Sequence, residues 1–168
     1  MHLRPAEPAD ALEVAGVHVR SWQSAYRGLL PDEYLDGLRA EDRAPRYRFD
    51  GVDPDAPSTV LATDDGAVVG FATTGPARDE DAAGLGELYA LYVDPPHWST
   101  GAGRALIGDA RGRLGAAGFA SAVLWVLVGN GRAERFYRRD GWAPDGKRLV
   151  REAWGTTVDE ARYRCRLA

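Results

Sequence analysis

Residues 87–104 read ELYALYVDPPHWSTGAGR, from Glu87 to Arg104, and the order of preferences along this stretch organises the chain. Its first half is an apolar, β-prone run; Pro95-Pro96 breaks it; Gly101-Ala102-Gly103 then leads into RALIGDARGRL, whose spacing predicts a helix. A strand, a loop and a helix N-terminus in that order offer unpaired backbone N–H groups and the positive end of a helix dipole. Two glycines keep side chains out of the way of an approaching anion. The stretch therefore predicts a site for a phosphate-bearing cofactor.

On its C-terminal side, Leu106, Ala110, Leu114 and Ala117 carry the helix on, and Gly118 stops it. Ala120 to Val128 is apolar throughout, the mark of a strand buried on both faces. Asn130 begins a short helix through Ala133, Phe136 and Tyr137 that Gly141 closes, and strand-like alternation follows at Arg148 to Trp154 and at Arg162 to Leu167. On its N-terminal side lies an acidic loop from Arg78 to Gly84. Before that, Thr59 to Thr63 and Ala67 to Thr74 flank Asp64-Asp65-Gly66, a hairpin signal. Leu3-Arg4-Pro5 reads as a short edge strand. Asp10 is placed to cap a helix whose apolar stripe runs Leu12, Ala15, Val19, Trp22, Tyr26, with Glu13 in its first turn and Gly28 as its stop. Pro31-Asp32 opens a second helix through Tyr34, Leu35 and Leu38, and the charged segment from Arg39 to Asp55, with Arg46, Tyr47 and Phe49, hints at more. The strand–helix–strand unit around the opening stretch needs a crossover, so its strands are parallel, while the hairpins are antiparallel. The expectation is an α/β (α+β) fold with a mixed sheet, in one domain over residues 1–168.

Bulk properties narrow the function. A chain of 168 residues, 45% hydrophobic, buries one substantial core. A formal net charge of -4 argues against the basic surface of a nucleic-acid binder. There is no apolar run long enough to span a membrane and no signal-peptide pattern at Met1 to Pro5, and the single Cys165 suits a reducing compartment. A cytoplasmic protein without nucleic-acid or membrane partners is expected. His18 and His97 have no partner pattern for a metal or a triad, so no metal is expected. Cys165 alternates with Tyr163 and reads as packing.

Two phosphate motifs fail. The triphosphate loop requires Gly-Lys-Ser/Thr at its end, and the one lysine, Lys147 after Gly146, lacks that setting. The dinucleotide fingerprint requires a glycine where Leu106 stands and an acid about twenty residues on, where Ser121 to Trp125 has none. What remains resembles the GNAT family of N-acetyltransferases. Its loop motif, Gln/Arg-x-x-Gly-x-Gly/Ala, matches Trp98-Ser99-Thr100-Gly101-Ala102-Gly103 except at Trp98. LYVDP at Leu91 to Pro95 and Arg104-Ala105-Leu106 extend the match. Asn130 to Trp142 is similar to the family's N-x-x-A-x-x-F-Y-x-x-x-G-F/W. The opening Leu3-Arg4-Pro5-Ala6 to Asp10 is also similar, and Ser21-Trp22 with Ala25 to Pro31 resembles one branch of small bacterial members.

The resemblance implies a mostly antiparallel sheet flanked by about four helices, in which the strand from Glu87 parts from the strand at 120–128. Acetyl-CoA would lie in that gap, its pantetheine arm on the backbone of Leu91, Tyr92 and Val93 and its pyrophosphate on Ser99, Thr100, Gly101, Ala102, Gly103 and Arg104. Asn130, Ala133 and Tyr137 would complete the cofactor site. Tyr137 would be the general acid and Glu87 the base, acting through a water. The acceptor, an amine-bearing small molecule or peptide, would meet Trp22, Tyr26, Arg27, Leu29, Glu87 and Trp154. A homodimer is a further expectation, and a non-catalytic acyl-CoA sensor is the rival. On periodicity alone Tyr137 packs beside Phe136, Trp22 and Tyr26 are core, Glu87 is a solvated or ion-paired strand-end residue, and Trp98 is a packed loop anchor.

Overall fold

The computed structural model describes residues 1–53 and 56–167. Strand β1 (His2–Pro5) leads into helices α1 (Ala11–Ala25), α2 (Asp32–Gly37) and the single turn α3 (Ala40–Arg43). Strands β2 (Ser58–Asp64) and β3 (Ala67–Pro76) form a hairpin whose turn residues Asp65 and Gly66 both have positive φ, 46° and 85°, as a tight twisted hairpin requires. Then come β4 (Gly86–Val93), α4 (Ala102–Ala116), β5 (Ser121–Leu127), α5 (Gly131–Arg139) and a closing hairpin of β6 (Ala143–Ala153) and β7 (Thr156–Arg166). One sheet, ordered β1-β2-β3-β4-β5-β7-β6, contains all seven strands. The β4–β5 pair joined by α4 is parallel and the other pairings are antiparallel, which bears out the expected mixed sheet.

The sheet buries both faces. On one, Leu106, Ile107, Ala110 and Leu114 of α4 pack on Leu88, Val93, Leu124 and Val126. On the other, α1 sets Val14 and Val17 on Leu61, Val68 and Phe71, while Trp22, Leu30, Leu35 and Val158 form a second cluster nearer β7. Each such large apolar side chain contributes about 1.5–3 kcal/mol through burial. Ala122, Val123 and Leu124 of β5 are all at most 1% exposed, the two-sided burial expected from the unbroken apolar run.

Three local expectations change. The last hairpin is longer than the alternation suggested, because β6 is an edge strand exposed almost throughout and so carries no two-residue period. Asp10 does not cap α1 through its side chain. Its carboxylate instead accepts both Arg4 Nη atoms at 2.8 and 2.7 Å and the Glu7 N–H at 2.7 Å. In the segment expected to hold more helix between Arg39 and Asp55, α3 and a 3-10 turn at Ala44–Arg46 form, and Tyr47 and Phe49 pack on the Val14–Phe71 cluster. Residues 54 and 55 of that segment, and Ala168 of the expected 1–168 domain, lie outside the described residues.

Candidate active site

Strands β4 and β5 pair only at Gly86↔Ala122 and Glu87↔Val123. Beyond these positions they separate. The β3–β4 register skips Tyr89, pairing Thr73 with Ala90 and Thr74 with Leu88, and such a bulge bends the strand. Gly70↔Val93 falls between ladder bonds, since Asp94 N–H donates to Val69 O at 2.8 Å. The backbone N–H groups of Leu91 and Val93 are thereby turned from β3 toward the gap. The Val93 carbonyl is fixed by two donors, Ser21 Oγ at 2.9 Å and Trp98 Nε1 at 2.7 Å. A cavity of about 580 Å³ occupies the gap. It is lined by Leu88–Val93 of β4, Leu124–Leu127 of β5, the 97–104 turn, α1 and α5.

The turn into α4 leaves backbone donors uncapped. Gly101 is the N-cap at φ 99°, no side chain caps the helix, and Ala105 N–H is bonded to Gly101 O at 3.0 Å. The N–H groups of Ala102, Gly103 and Arg104 precede that first helical bond and have no intrahelical acceptor. Ser99 also has positive φ, 64°. Gly103 has ordinary φ, and its role is packing: a Cβ there would come 3.3 Å from the Phe136 ring, which draws α4 against α5.

Helix α5 starts with Asn130, whose Oδ1 accepts the Ala133 N–H at 3.2 Å. Seven residues on, Tyr137 is 8% exposed, with its ring 5.2 Å from Phe136 and 6.3 Å from Trp142, and it lines the cavity. Burial, and secondarily Tyr92, pushes its hydroxyl far above the ordinary tyrosine range. It therefore holds its proton in the resting site. Opposite it, α1 brings Ser21, Trp22, Ala25 and Tyr26 to the cavity. Trp22 packs edge-on against Tyr26 at 5.1 Å and Trp154 at 5.0 Å, and Tyr34 stacks on Trp154 at 5.8 Å, so this wall is aromatic.

A family model described as "Acetyltransferase (GNAT) family" matches residues 19–142. The chain belongs to the GNAT acetyltransferase family. It is 34% identical over 129 residues to YuaI of Bacillus subtilis, an uncharacterized N-acetyltransferase, a match covering 76% of this chain and 72% of that one. It is 36% identical over 106 residues to mycothiol acetyltransferase of Propionibacterium freudenreichii, covering 63% of this chain and one third, 33%, of that longer protein. The fold matches that of the PaiA N-acetyltransferase of Thermoplasma acidophilum, solved with coenzyme A, at a TM-score of 0.71 and 19% identity over 98% of both chains.

GNAT acetyltransferases use acetyl-CoA, and the residues fit it: an open strand edge, uncapped N–H groups at a glycine turn and a buried hydroxyl face one cavity. The structure brings together there Trp22, Tyr26, Leu91, Tyr92, Val93, Ser99, Gly101, Gly103, Arg104, Asn130, Ala133 and Tyr137. Thr100 and Ala102 belong to the same turn without lining the cavity, and Thr100 Oγ1 is spent on His97 O at 2.7 Å. Four acceptor-side expectations fall outside the lining. Glu87 is 1% exposed, on the part of β4 still paired to β5, and Arg78 holds its carboxylate through Nη2 at 2.7 Å and its backbone N–H at 2.9 Å. Arg27 is drawn to the surface by Asp32 and Asp36. Leu29 closes on the β5–α5 turn, where its Cδ2 lies 2.8 Å from where a Gly129 Cβ would be, and Trp154 packs edge-on against Trp22 without lining the cavity itself. The sequence reading missed Ser21, Trp125, Arg132, Arg135, Phe136 and Arg139, which also line it. Phe136 and Arg132 sit inside the recognised α5 motif and Ser21 inside the recognised Ser21-Trp22 pair, so their spacing was a usable signal; Trp125, within an unbroken apolar run, carried none.

Proposed function

We propose that the chain transfers an acetyl group from acetyl-CoA directly to a primary amine of a small molecule or peptide. The observation that carries this reading is the β4–β5 gap, with the uncapped α4 turn at one end and the protonated Tyr137 hydroxyl on its wall. Acetyl-CoA supplies the acyl thioester. The N–H groups of the 99–104 turn, apart from that of Thr100, which is given to His97 O at 3.4 Å, bind its phosphates, and the gap-facing edge of Leu91 and Val93 takes its pantetheine arm as an added strand. The Val93 N–H polarises the reacting carbonyl, Tyr137 gives its proton to the departing thiolate, and the acceptor enters along the Trp22–Tyr26 wall. Holding both substrates in one site removes association entropy from the barrier, and no covalent enzyme intermediate is needed.

Glu87 enters this reading as a buried anchor for Arg78. To act as base it would have to exchange Arg78 for a water reaching the cavity. The amine, ordinarily of pKa ~10, then loses one proton to solvent before attack, and the second proton that its nitrogen sheds as the C–S bond breaks returns to the Tyr137 oxygen. The relatives' names favour an amine acceptor, and mycothiol acetyltransferase points to a small molecule among them. The test is thiol release from acetyl-CoA against amino acids, polyamines, aminoglycosides and peptides. Acceptor-dependent release supports transfer; slow hydrolysis with no acceptor dependence across the panel replaces it with an acyl-CoA sensor.

A further inference from the structure

The motif that identifies the phosphate turn begins with Gln or Arg, and this chain has Trp98 there. Trp98 is anchored by its indole N–H to Val93 O at 2.7 Å, and the guanidinium of Arg132 lies over its ring, 3.5 Å from the centroid. A cation is thus restored beside the turn from another helix. Its placement is costly. Arg132 sits in the first turn of α5, where the helix dipole disfavours positive charge, and desolvation without a compensating anion lowers its pKa. Arginines elsewhere, Arg4, Arg20, Arg78, Arg111 and Arg162 among them, hold carboxylates. Among the described residues Arg132, Arg104, Arg135 and Arg139 have no ion-pair partner, yet all four line the cavity. Arg135 folds back so that its Nη1 lies 3.2 Å from where a Gly131 Cβ would be, toward the start of α5.

The backbone turn at 99–104 already provides donors for a pyrophosphate. Four further unpaired cations exceed what that group needs, and coenzyme A carries one more anion, the 3′-phosphate, with close to two negative charges at neutral pH. We propose that Arg132, seated on Trp98 and supported by Arg104, Arg135 and Arg139, binds the 3′-phosphate of the coenzyme and makes the enzyme selective for coenzyme A over its 3′-dephospho form. This assignment rests on the acetyl-CoA reading above and adds a subsite to it. The stacked indole holds the guanidinium plane in place, so less side-chain freedom is lost when the phosphate arrives.

Calorimetric titration of the full chain with coenzyme A and with 3′-dephospho-coenzyme A tests it, without dependence on turnover. The wild type is expected to bind coenzyme A roughly 10–100-fold more tightly, as for charge-assisted hydrogen bonds. In Arg132→Ala that ratio falls toward one through loss of coenzyme A affinity alone. Trp98→Leu, which keeps the arginine but removes its seat, narrows the ratio in the same direction. Equal binding of the two ligands by the wild type, or an unchanged ratio in Arg132→Ala, overturns the subsite and leaves the coenzyme site standing. Failure of the wild type to bind either ligand overturns both.

Discussion

Replacing His18 by Gln removes a titrating group that the fold keeps neutral, and its effect can be worked out. His18 is 7% exposed on α1, between the rings of Trp22 and Tyr92, each 4.8 Å away. Its Nδ1 lies 2.6 Å from the Tyr47 hydroxyl, and its Nε2 has no partner. Burial first, then the charges of Arg43 and Arg46, lower its pKa from 6.5 to about 3. The unfolded chain takes up this proton below pH 6.5 and the folded chain does so only near pH 3. His18 therefore leaves stability unaffected above pH 6.5 and removes it progressively as pH falls toward 3. Between pH 6.5 and 4.5 the loss is about 2 kcal/mol, or roughly 4–8 °C in Tm for a chain of this size. Carboxylates such as Asp10, held low chiefly by its hydrogen bond to Arg4, act alike in both proteins and cancel. Melting curves of the wild type and His18→Gln from pH 7 to 4.5 should show the variant's Tm falling less steeply by that amount. Parallel Tm–pH curves would refute the buried neutral imidazole.

Two other outcomes follow from the site. Glu87→Gln breaks the Arg78 ion pair while keeping an acceptor for the Arg78 N–H. Stability should fall by about 1–3 kcal/mol with the shape of the kcat/KM pH profile unchanged; a loss of activity concentrated at low pH would return Glu87 to the role of base. Gly101→Ala meets no atom within 4 Å but forces an L residue to φ 99°, costing about 1–2 kcal/mol and turning the α4 N–H groups. Coenzyme A affinity measured by calorimetry should fall about tenfold, equivalent to 1.4 kcal/mol, and an unchanged affinity would remove the backbone turn from the binding account.

The parts of the site legible in the sequence were those made by backbone conformation. Gly101 marks a positive φ at the helix start, and Asn130 marks a helix cap, because each residue type is selected by local geometry whatever surrounds it. The unbroken apolar run at 120–128 announced a strand buried on both sides for the same reason. Contacts between distant side chains left no such trace. Nothing near Trp98 points to Arg132, thirty-four residues on by number, and nothing in the β4 run says that Arg78 would occupy Glu87. Arg27 was expected at the acceptor wall, but Asp32 and Asp36 on the next helix compete for it at the surface. The Asp10 cap lost to Arg4 because a charged bidentate partner is a stronger donor than the helix N–H groups.

In the acetyl transfer proposed for the β4–β5 gap, Tyr137 supplies the proton. Tyr137→Phe keeps the ring packed on Phe136 and Trp142 and removes only the hydroxyl. Measured beside the wild type with saturating acceptor, kcat should fall roughly 10–10³-fold while the calorimetric Kd for acetyl-CoA stays within about threefold. Unchanged turnover in the variant would contradict the assignment.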